Sequence, residues 1–407
     1  MPRPERVAHV APLAFDGERF LPDGATVLVE GPSILAVHPG MSVIPEGFAV
    51  QRHDGGTLLP GLIDTHVHLI ADGQDGALGR DPRRTADERE QVVRESLQGH
   101  VRAGVTTVRD LGDNRWNVLQ RETRSHEPTV VASGPPVTTP GGHCAALGGE
   151  AAGADALVAA VDERAERGAP LVKIVVSGGA MTPGSDLLSL QYSPDDLALV
   201  VKRAERHGLP VVAHAHSLDA VNLCIDSGVR GIEHCTCLTT HGVQTPPDLA
   251  ERLRRHGIHI GPTFGRIPGS RPSAQAQEVT RRTGLVPAHR FAQVEKLHRE
   301  GVLVISGSDA GIHAAKPHGI VALAVAELVA AGIAPDDAIA TATGVSAQAC
   351  GLANKGRLGA GADADLLVVD GDPRLDITAL TRVRTVVVRG DTVRDSSFRD
   401  DAARSPS

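Results

Sequence analysis

The chain contains eight short runs of apolar and β-branched residues, which alternate with longer stretches that mix apolar and charged residues. These runs begin at positions 58, 104, 129, 170, 209, 229, 258 and 302. Short runs of this composition are typical of strands that are buried on both faces of a parallel sheet. Eight such strands alternating with helices predict an α/β fold, a (β/α)8 TIM barrel.

The stretches between the runs carry the signals that begin and end helices. The segment 193–196 (Ser-Pro-Asp-Asp) offers a capping serine, proline at the first helical position and an acid at the third, and Gly208 follows about four turns later. Segment 245–257 repeats this pattern, and 152–168 and 279–300 place apolar residues at helical spacing among charges. Each of these four segments is therefore predicted to be a helix.

The two ends of the chain have a different pattern from the middle. Residues 1–57 and 356–394 contain shorter alternating runs separated by turn signals, which is typical of antiparallel strands. We predict that these two segments pair into one small β-sandwich domain, with the metal-dependent hydrolase barrel at 58–355. Residues 395–407 are small and polar, so we expect a flexible tail there.

Side chains that commonly bind metals follow several of the predicted barrel strands. His66 and His68 are two residues apart, so in an extended strand both project to the same side and can hold one cation. Active-site residues of TIM barrels sit at the carboxyl ends of the strands. The residues found there in this chain are His66, His68, Lys173, His214, His234 and Asp309.

Composition narrows the class of partner. The net charge is −8 and the basic residues are dispersed, so the sequence predicts a small-molecule substrate and no nucleic acid. No apolar stretch reaches about 18 residues, which predicts no membrane association and a cytoplasmic location. The five scattered cysteines are expected to be buried residues rather than ligands, and a homo-oligomer is compatible with the sequence.

Several short motifs stand along the chain, mostly at the ends of the predicted strands. They are LPGLIDTHVH at 59–68, GVTTVRD at 104–110, GGH at 141–143, VKI at 172–174 with SGG at 177–179, HAH at 214–216, EH at 233–234, SDAG at 308–311 and LGAGADADLLV at 358–368. Together they resemble the metal-dependent amidohydrolase superfamily, in the branch of imidazolonepropionase-like and prolidase-like (Xaa-Pro dipeptidase) enzymes. The resemblance runs from about residue 7 to 394. It implies a barrel that holds two divalent metal ions, with zinc as the default metal.

The resemblance implies a role for each ligand-type residue. His66, His68 and Asp309 would bind the first metal, and His214 and His234 the second. His216 is two residues from His214, so spacing alone does not decide between them; the position of His214 at the strand end favours it.

Lys173 is implied to be a carboxylated lysine that bridges the two metals. It lies within an apolar strand, where burial lowers the pKa of the amine. The neutral amine can then capture carbon dioxide and form the anionic carbamate.

Asp309 would also accept the proton of the attacking water and deliver it to the leaving amine. His143, in a glycine-rich loop, would stabilise the developing oxyanion. The weaker candidates for binding substrate are His143, Tyr192, His216, Arg266, Arg271 and His318.

The predicted function is hydrolysis of an amide or peptide C–N bond, in a dipeptide or an N-acyl amino acid, by a hydroxide that bridges two metals. A mononuclear imidazolonepropionase-like hydrolase of cyclic amides is disfavoured because one metal has no use for a bridging Lys173. An aromatic-base deaminase is disfavoured because segment 214–216 lacks the expected glutamate. A catalytically silent scaffold is disfavoured because all six ligand positions carry competent side chains.

Overall fold

The computed structural model describes residues 6–271 and 274–395. The strands are Arg6–Ala11 (β1), Leu13–Phe15 (β2), Phe20–Leu21 (β3), Ala25–Glu30 (β4), Ser33–Pro39 (β5), Ala49–Arg52 (β6), Gly56–Pro60 (β7), Leu62–Val67 (β8), Val105–Asp110 (β9), Thr129–Ala132 (β10), Val172–Val175 (β11), Val211–Ser217 (β12), Gly231–Thr239 (β13), Gly242–Val243 (β14), His259–Gly261 (β15), Leu366–Asp370 (β16), Val383–Val388 (β17) and Asp391–Asp395 (β18).

The helices lie mainly between the strands of the middle segment. They are Ala77–Arg80 (α1), Ala86–Arg102 (α2), Ala154–Glu166 (α3), Pro194–Arg206 (α4), Leu218–Ser227 (α5), Leu249–Arg255 (α6), Ala274–Thr283 (α7), Pro287–Arg299 (α8), Val321–Ala330 (α9), Pro335–Ala340 (α10) and Gly344–Ala349 (α11). Within the described ranges, none of these is long and apolar enough to cross a membrane.

The strands of the middle segment form two parallel sheets. One has the order β10-β9-β8, and in the other β11, β12, β13 and β15 pair in parallel. Parallel bridges from Val137 to Ile174 and from Ile260 to Val304 connect further segments to these sheets, and Val67 bridges to Ala310. The predicted eighth strand, 302–309, is not a regular strand; Val304 bridges to β15, and Ala310, directly after the segment, bridges to β8.

The apolar run that begins at residue 58 was predicted as one strand but divides into two. β7 pairs antiparallel with β16, whereas β8 pairs in parallel with β9, so the chain passes from one sheet to the other at Gly61. A Cβ atom at Gly61 would lie only 2.2 Å from Thr106 Oγ1. The change of sheet therefore requires glycine, because the backbone runs against the Thr106 side chain.

Two predicted helices differ from those observed. α6 begins at Leu249 rather than near residue 245, without a capping hydrogen bond from Asp248. The segment predicted as one helix, 279–300, is divided between α7 and α8, because Gly284 has a φ of +68° and Pro287 begins the second helix. α3 and α4 match their predictions, and Ser193 caps α4 in a capping box.

Strands from the two ends of the chain pair with each other. A four-stranded sheet has the order β5-β4-β1-β6, and a six-stranded sheet, β18-β17-β16-β7-β2-β3, interleaves strands from both ends. A shared apolar cluster that includes Val27, Leu58 and Val368 packs between them. Of the predicted flexible tail, Asp395 ends β18, and residues 396–407 lie outside the described residues.

Candidate metal centre

The carboxyl ends of the parallel strands meet around a cavity of about 460 Å³. This is the edge where the predicted ligands follow their strands, and all six of them line the cavity: His66, His68, Lys173, His214, His234 and Asp309. The structure therefore brings together residues that are up to 243 positions apart along the chain (309 − 66 = 243).

His66, His68 and Asp309 form the first of two clusters. Asp309 Oδ1 lies 3.5 Å from His66 Nε2 and 3.3 Å from His68 Nε2. Burial opposes ionisation of Asp309, but His66, His68 and Lys316 outweigh it and hold the pKa of this carboxyl well below its usual range. Asp309 has a φ of +59°, a strained backbone conformation that is common at functional sites.

A buried hydrogen-bond chain orients His66. Its Nδ1–H donates to Glu233 Oε2 at 2.7 Å, and Arg109 Nη2 donates to Glu233 Oε1 at 2.7 Å. Arg109 Nε in turn donates to the carbonyl of Thr65 at 2.7 Å. With Nδ1 committed to Glu233, His66 keeps the lone pair of Nε2 for a ligand in the cavity.

The Glu233–Arg109 pair was not among the predicted site residues. Burial raises the pKa of Glu233, but Arg109 and the hydrogen bond from His66 outweigh it and bring the value to about 2. The pair is almost completely buried, with side chains 0% and 4% exposed. The sequence carried a signal for this pair. Arg109 and Glu233 each place a charge inside an apolar run, and they belong to the GVTTVRD and EH motifs.

A backbone carbonyl orients His68. Its Nδ1–H donates to the carbonyl of Gly112 at 3.1 Å, which leaves Nε2 facing Asp309. A Cβ atom at Gly112 would lie 2.9 Å from His68 Cε1, so the ring fits only against glycine. Burial lowers the pKa of His68, but Asp309 outweighs it and raises the value above the usual one.

The second cluster contains three histidines, His214, His216 and His234, with one ligand nitrogen of each lying within 4.8 Å of the others. The hydroxyl of Thr263 donates to the carbonyl of Pro262, so it accepts from His234 Nδ1–H at 2.8 Å and leaves Nε2 free. His214 Nε2 lies 3.2 Å from the carbonyl of Gly178, which leaves its Nδ1 free.

His216 is as close to this cluster as the predicted ligand His214. Its Nδ1 lies 2.9 Å from Thr236 Oγ1, and its ring stacks on His234 with centroids 4.4 Å apart. Both histidines of the 214–216 motif therefore have a ring nitrogen available. The choice of His214 as the ligand stays a prediction.

Lys173 lies in the same cavity, on β11. Its side chain is buried, and Nζ has no hydrogen-bond partner among the described residues. Burial lowers the pKa of this amine to about 8. A buried amine without a partner is unfavourable, so an additional group that binds or modifies Nζ would stabilise the site.

These residues fit two divalent metal ions. Imidazole nitrogens and a carboxylate form the usual ligand set for zinc, and each cluster supplies three such groups. The Nδ1 atoms of His66, His68 and His234 each form a hydrogen bond to a protein oxygen, as is usual for metal-binding histidines. The Lys173 amine, which has no hydrogen-bond partner among the described residues, would gain one from a bound or attached group.

His143 also lies in the cavity, beside His214, with ring centroids 4.8 Å apart. Its Nδ1 lies 2.9 Å from Thr182 Oγ1. A Cβ atom at Gly179 would lie 2.3 Å from His143 Nε2, so this glycine makes room for the ring. Burial lowers the pKa of His143 to about 4, which keeps the ring neutral near pH 7.

The weaker substrate-binding candidates are only partly brought together. Arg266 and His216 line the cavity. Neither Tyr192 nor His318 lines the cavity. The Tyr192 hydroxyl donates to the carbonyl of Ala151 at 2.9 Å, and His318 Nε2 lies 2.8 Å from the carbonyl of Ala71. Arg271 is exposed outside the cavity, where its carbonyl accepts a hydrogen bond from Arg266.

Comparison with known proteins agrees with this geometry. The sequence profile described as "Amidohydrolase family" matches residues 57–393. This chain belongs to the amidohydrolase family. An uncharacterised protein of Mycobacterium tuberculosis (strain ATCC 25618 / H37Rv) is 30% identical over 358 residues, which cover 86% of this chain and 89% of that protein.

More distant relatives of the amidohydrolase chain have names that state an activity. Ochratoxinase of Aspergillus niger is 24% identical, over 91% of this chain and 82% of that protein. The crystal structure of a Xaa-Pro dipeptidase with bound methionine superposes with a TM-score of 0.79 at 24% identity, covering 96% of this chain and 100% of the other. At this identity the structural match shows a shared fold.

Proposed function

We propose that this amidohydrolase is a binuclear enzyme of the prolidase-like branch that hydrolyses an amide or peptide C–N bond in dipeptides or N-acyl amino acids. The observation that carries the proposal is the position of Lys173, whose unpartnered amine shares a cavity with two three-residue clusters of ligand-type side chains. A carbamate on Lys173 would give the site a bridging anion. A single metal would leave either one cluster or Lys173 without a role.

The metal ions, when bound, would polarise the scissile carbonyl and make a water molecule acidic enough to attack it. His66, His68 and Asp309 would hold one ion, and His214 and His234 the other. Asp309 would also move the proton. Its carboxylate is ionised and partly open to the cavity, with a side chain 13% exposed, so it can accept the proton of the water and pass it to the leaving amine.

His143 would hold the oxyanion that forms at the substrate carbonyl. The ring is neutral and its Nδ1 is held by Thr182, so Nε2 is directed away from that contact. A Cβ atom at Gly179 would fill the space beside Nε2. The glycine therefore keeps His143 accessible within the cavity.

The cavity walls support a substrate with an apolar group and a carboxylate. Apolar side chains dominate the part away from the ligands, including Met181, Phe264 and Ile312. Arg266 lies on the same wall, and its Nη1 makes no hydrogen bond within the described residues. We propose that Arg266 binds the carboxylate of the substrate.

We propose that the two parallel sheets and the 302–309 segment close into one (β/α)8 barrel. The bridges from Val137, Val304 and Ala310 support closure, because each joins neighbouring parts of the sheets edge to edge. Family membership supports it as well, since the matched region spans the predicted barrel and its return to the small domain.

A panel of substrates tests the proposed function. The zinc-loaded protein is incubated with Xaa-Pro and other dipeptides, N-acyl amino acids, cyclic amides and aromatic bases, and the released amine or ammonia is measured. We expect release of free amino acid from dipeptides or N-acyl amino acids, and its loss in Asp309→Asn. Turnover confined to cyclic amides, or release of ammonia from a base, would contradict the proposal.

A further inference from the structure

A second cavity, of about 650 Å³, lies near the amino ends of β11, β12, β13 and β15; we call it the lower cavity. Leu171 and Arg230 line it directly before β11 and β13, and Val212 and His259 line it at the beginnings of β12 and β15. None of the lining residues is shared with the cavity of the metal centre. Its volume falls in the range of about 300–1,000 Å³ that is usual for ligand pockets.

The lower cavity contains a buried cation with unused donors. Arg109 is only 3% exposed, and its Nε and Nη2 are engaged by Thr65 and Glu233. Its Nη1 makes no hydrogen bond to any residue in the described ranges. His259, 2% exposed, also lines the cavity and has an unpartnered Nε2 atom. A buried guanidinium with an unused N–H donor favours an oxyanion ligand.

The rest of the wall combines polar and apolar side chains. The apolar ones include Val118, Val131 and Leu352. Arg230 lies at the rim, where it is exposed and forms no ion pair with any described residue. Cations beside apolar side chains match a molecule that has an apolar body and one negative group.

We propose that the lower cavity is a ligand site, distinct from the metal centre, for a small carboxylate with an apolar body. The carboxylate would accept hydrogen bonds from Arg109 Nη1, and the apolar body would contact Val131, Leu171 and Val212. Arg109 is unsuitable as the test position because it also holds Glu233 behind His66.

Two cysteines provide matched test positions. Cys350 lines the lower cavity and Cys144 lines the cavity of the metal centre, and both are half-buried. Binding of phenylacetate to the zinc-loaded full chain is measured by titration calorimetry, with uncharged phenylacetamide as the ligand control. We expect Cys350→Trp to weaken one binding site by about tenfold or more, and Cys144→Trp to retain that site.

Each other outcome overturns the proposal. Loss of phenylacetate binding only in Cys144→Trp would place the anion in the cavity of the metal centre. Equal binding of phenylacetamide would remove the carboxylate requirement, and absence of phenylacetate binding at millimolar concentration would remove the site. Circular dichroism and zinc content check that the variants fold, and Leu352→Trp replaces Cys350→Trp if the latter does not.

Discussion

The replacement Glu233→Gln tests how the protein holds the first cluster of ligand-type side chains, His66, His68 and Asp309. The Glu233 carboxylate is fully buried between the guanidinium of Arg109 and the ring of His66, 2.7 Å from each. Glutamine keeps the shape of the side chain but removes its charge. Arg109 is then a buried cation without an acid partner, and His66 loses the charged acceptor that fixes its orientation.

The size of the effect follows from the pKa of Glu233. Burial alone would raise it, but Arg109 and His66 lower it from 4.5 to about 2. This difference corresponds to about 3 kcal/mol in the free energy of unfolding. Breaking one partner of a buried ion pair costs about 3–5 kcal/mol, which agrees. Because the folded pKa is depressed, the stabilisation is fully present above pH 4.5 and is lost as the pH falls towards 2.

Urea unfolding of the metal-free protein and zinc titration against a competing chelator measure the two effects. We expect Glu233→Gln to lower the free energy of unfolding by about 3 kcal/mol and to weaken zinc binding by about 10–100-fold. The matched control is Glu278→Gln, which removes an exposed ion pair with Arg281 and should leave both quantities unchanged. Unaltered stability and zinc affinity in Glu233→Gln would show that Glu233 neither stabilises the fold through Arg109 nor orients His66 for zinc.

Three further predictions concern the cavity itself. Asp309→Asn keeps the shape of the side chain but removes the proton carrier, so kcat should fall by about 10²-fold or more, and a near-normal kcat in steady-state kinetics would exclude that role. Lys173→Ala should lose nearly all activity and regain part of it with acetate, whereas Lys173→Arg should not be rescued. The metal-free wild type should regain activity faster when bicarbonate is added together with zinc. His214→Asn should remove one zinc per chain and His216→Asn should retain both, and the reverse result in a metal assay would exchange their roles.

Much of the fold and the grouping of the candidate ligands in one cavity could be predicted because both depend on local patterns. The His66-Val67-His68 tripeptide follows a buried strand, and strand geometry alone directs both imidazoles to one side. The capping box at Ser193 is likewise a local signal, and α4 begins where it predicts. Residues at strand ends reach the same cavity because the strands are parallel.

Features that depend on long-range pairing could not be located in this way. Glu233 and Arg109 meet across 124 positions of sequence, so their contact depends on how β9 and β13 are arranged. The division of the run that begins at residue 58 also has a distant cause. Its first part, β7, pairs antiparallel with β16 near the other end of the chain. Tyr192 has no local feature that distinguishes a structural hydroxyl from one that binds substrate, and only the fold places it against Ala151.

We propose that Lys173 joins two metal ions in one centre, and a count of bound metal per chain tests this proposal. The protein is purified with zinc and bicarbonate, and bound metal per chain is measured by mass spectrometry together with activity. We predict about two zinc ions per chain in active wild type and a loss of the second ion in Lys173→Ala. One zinc ion per fully active chain, or two zinc ions retained with normal turnover in Lys173→Ala, would contradict a binuclear centre joined by Lys173.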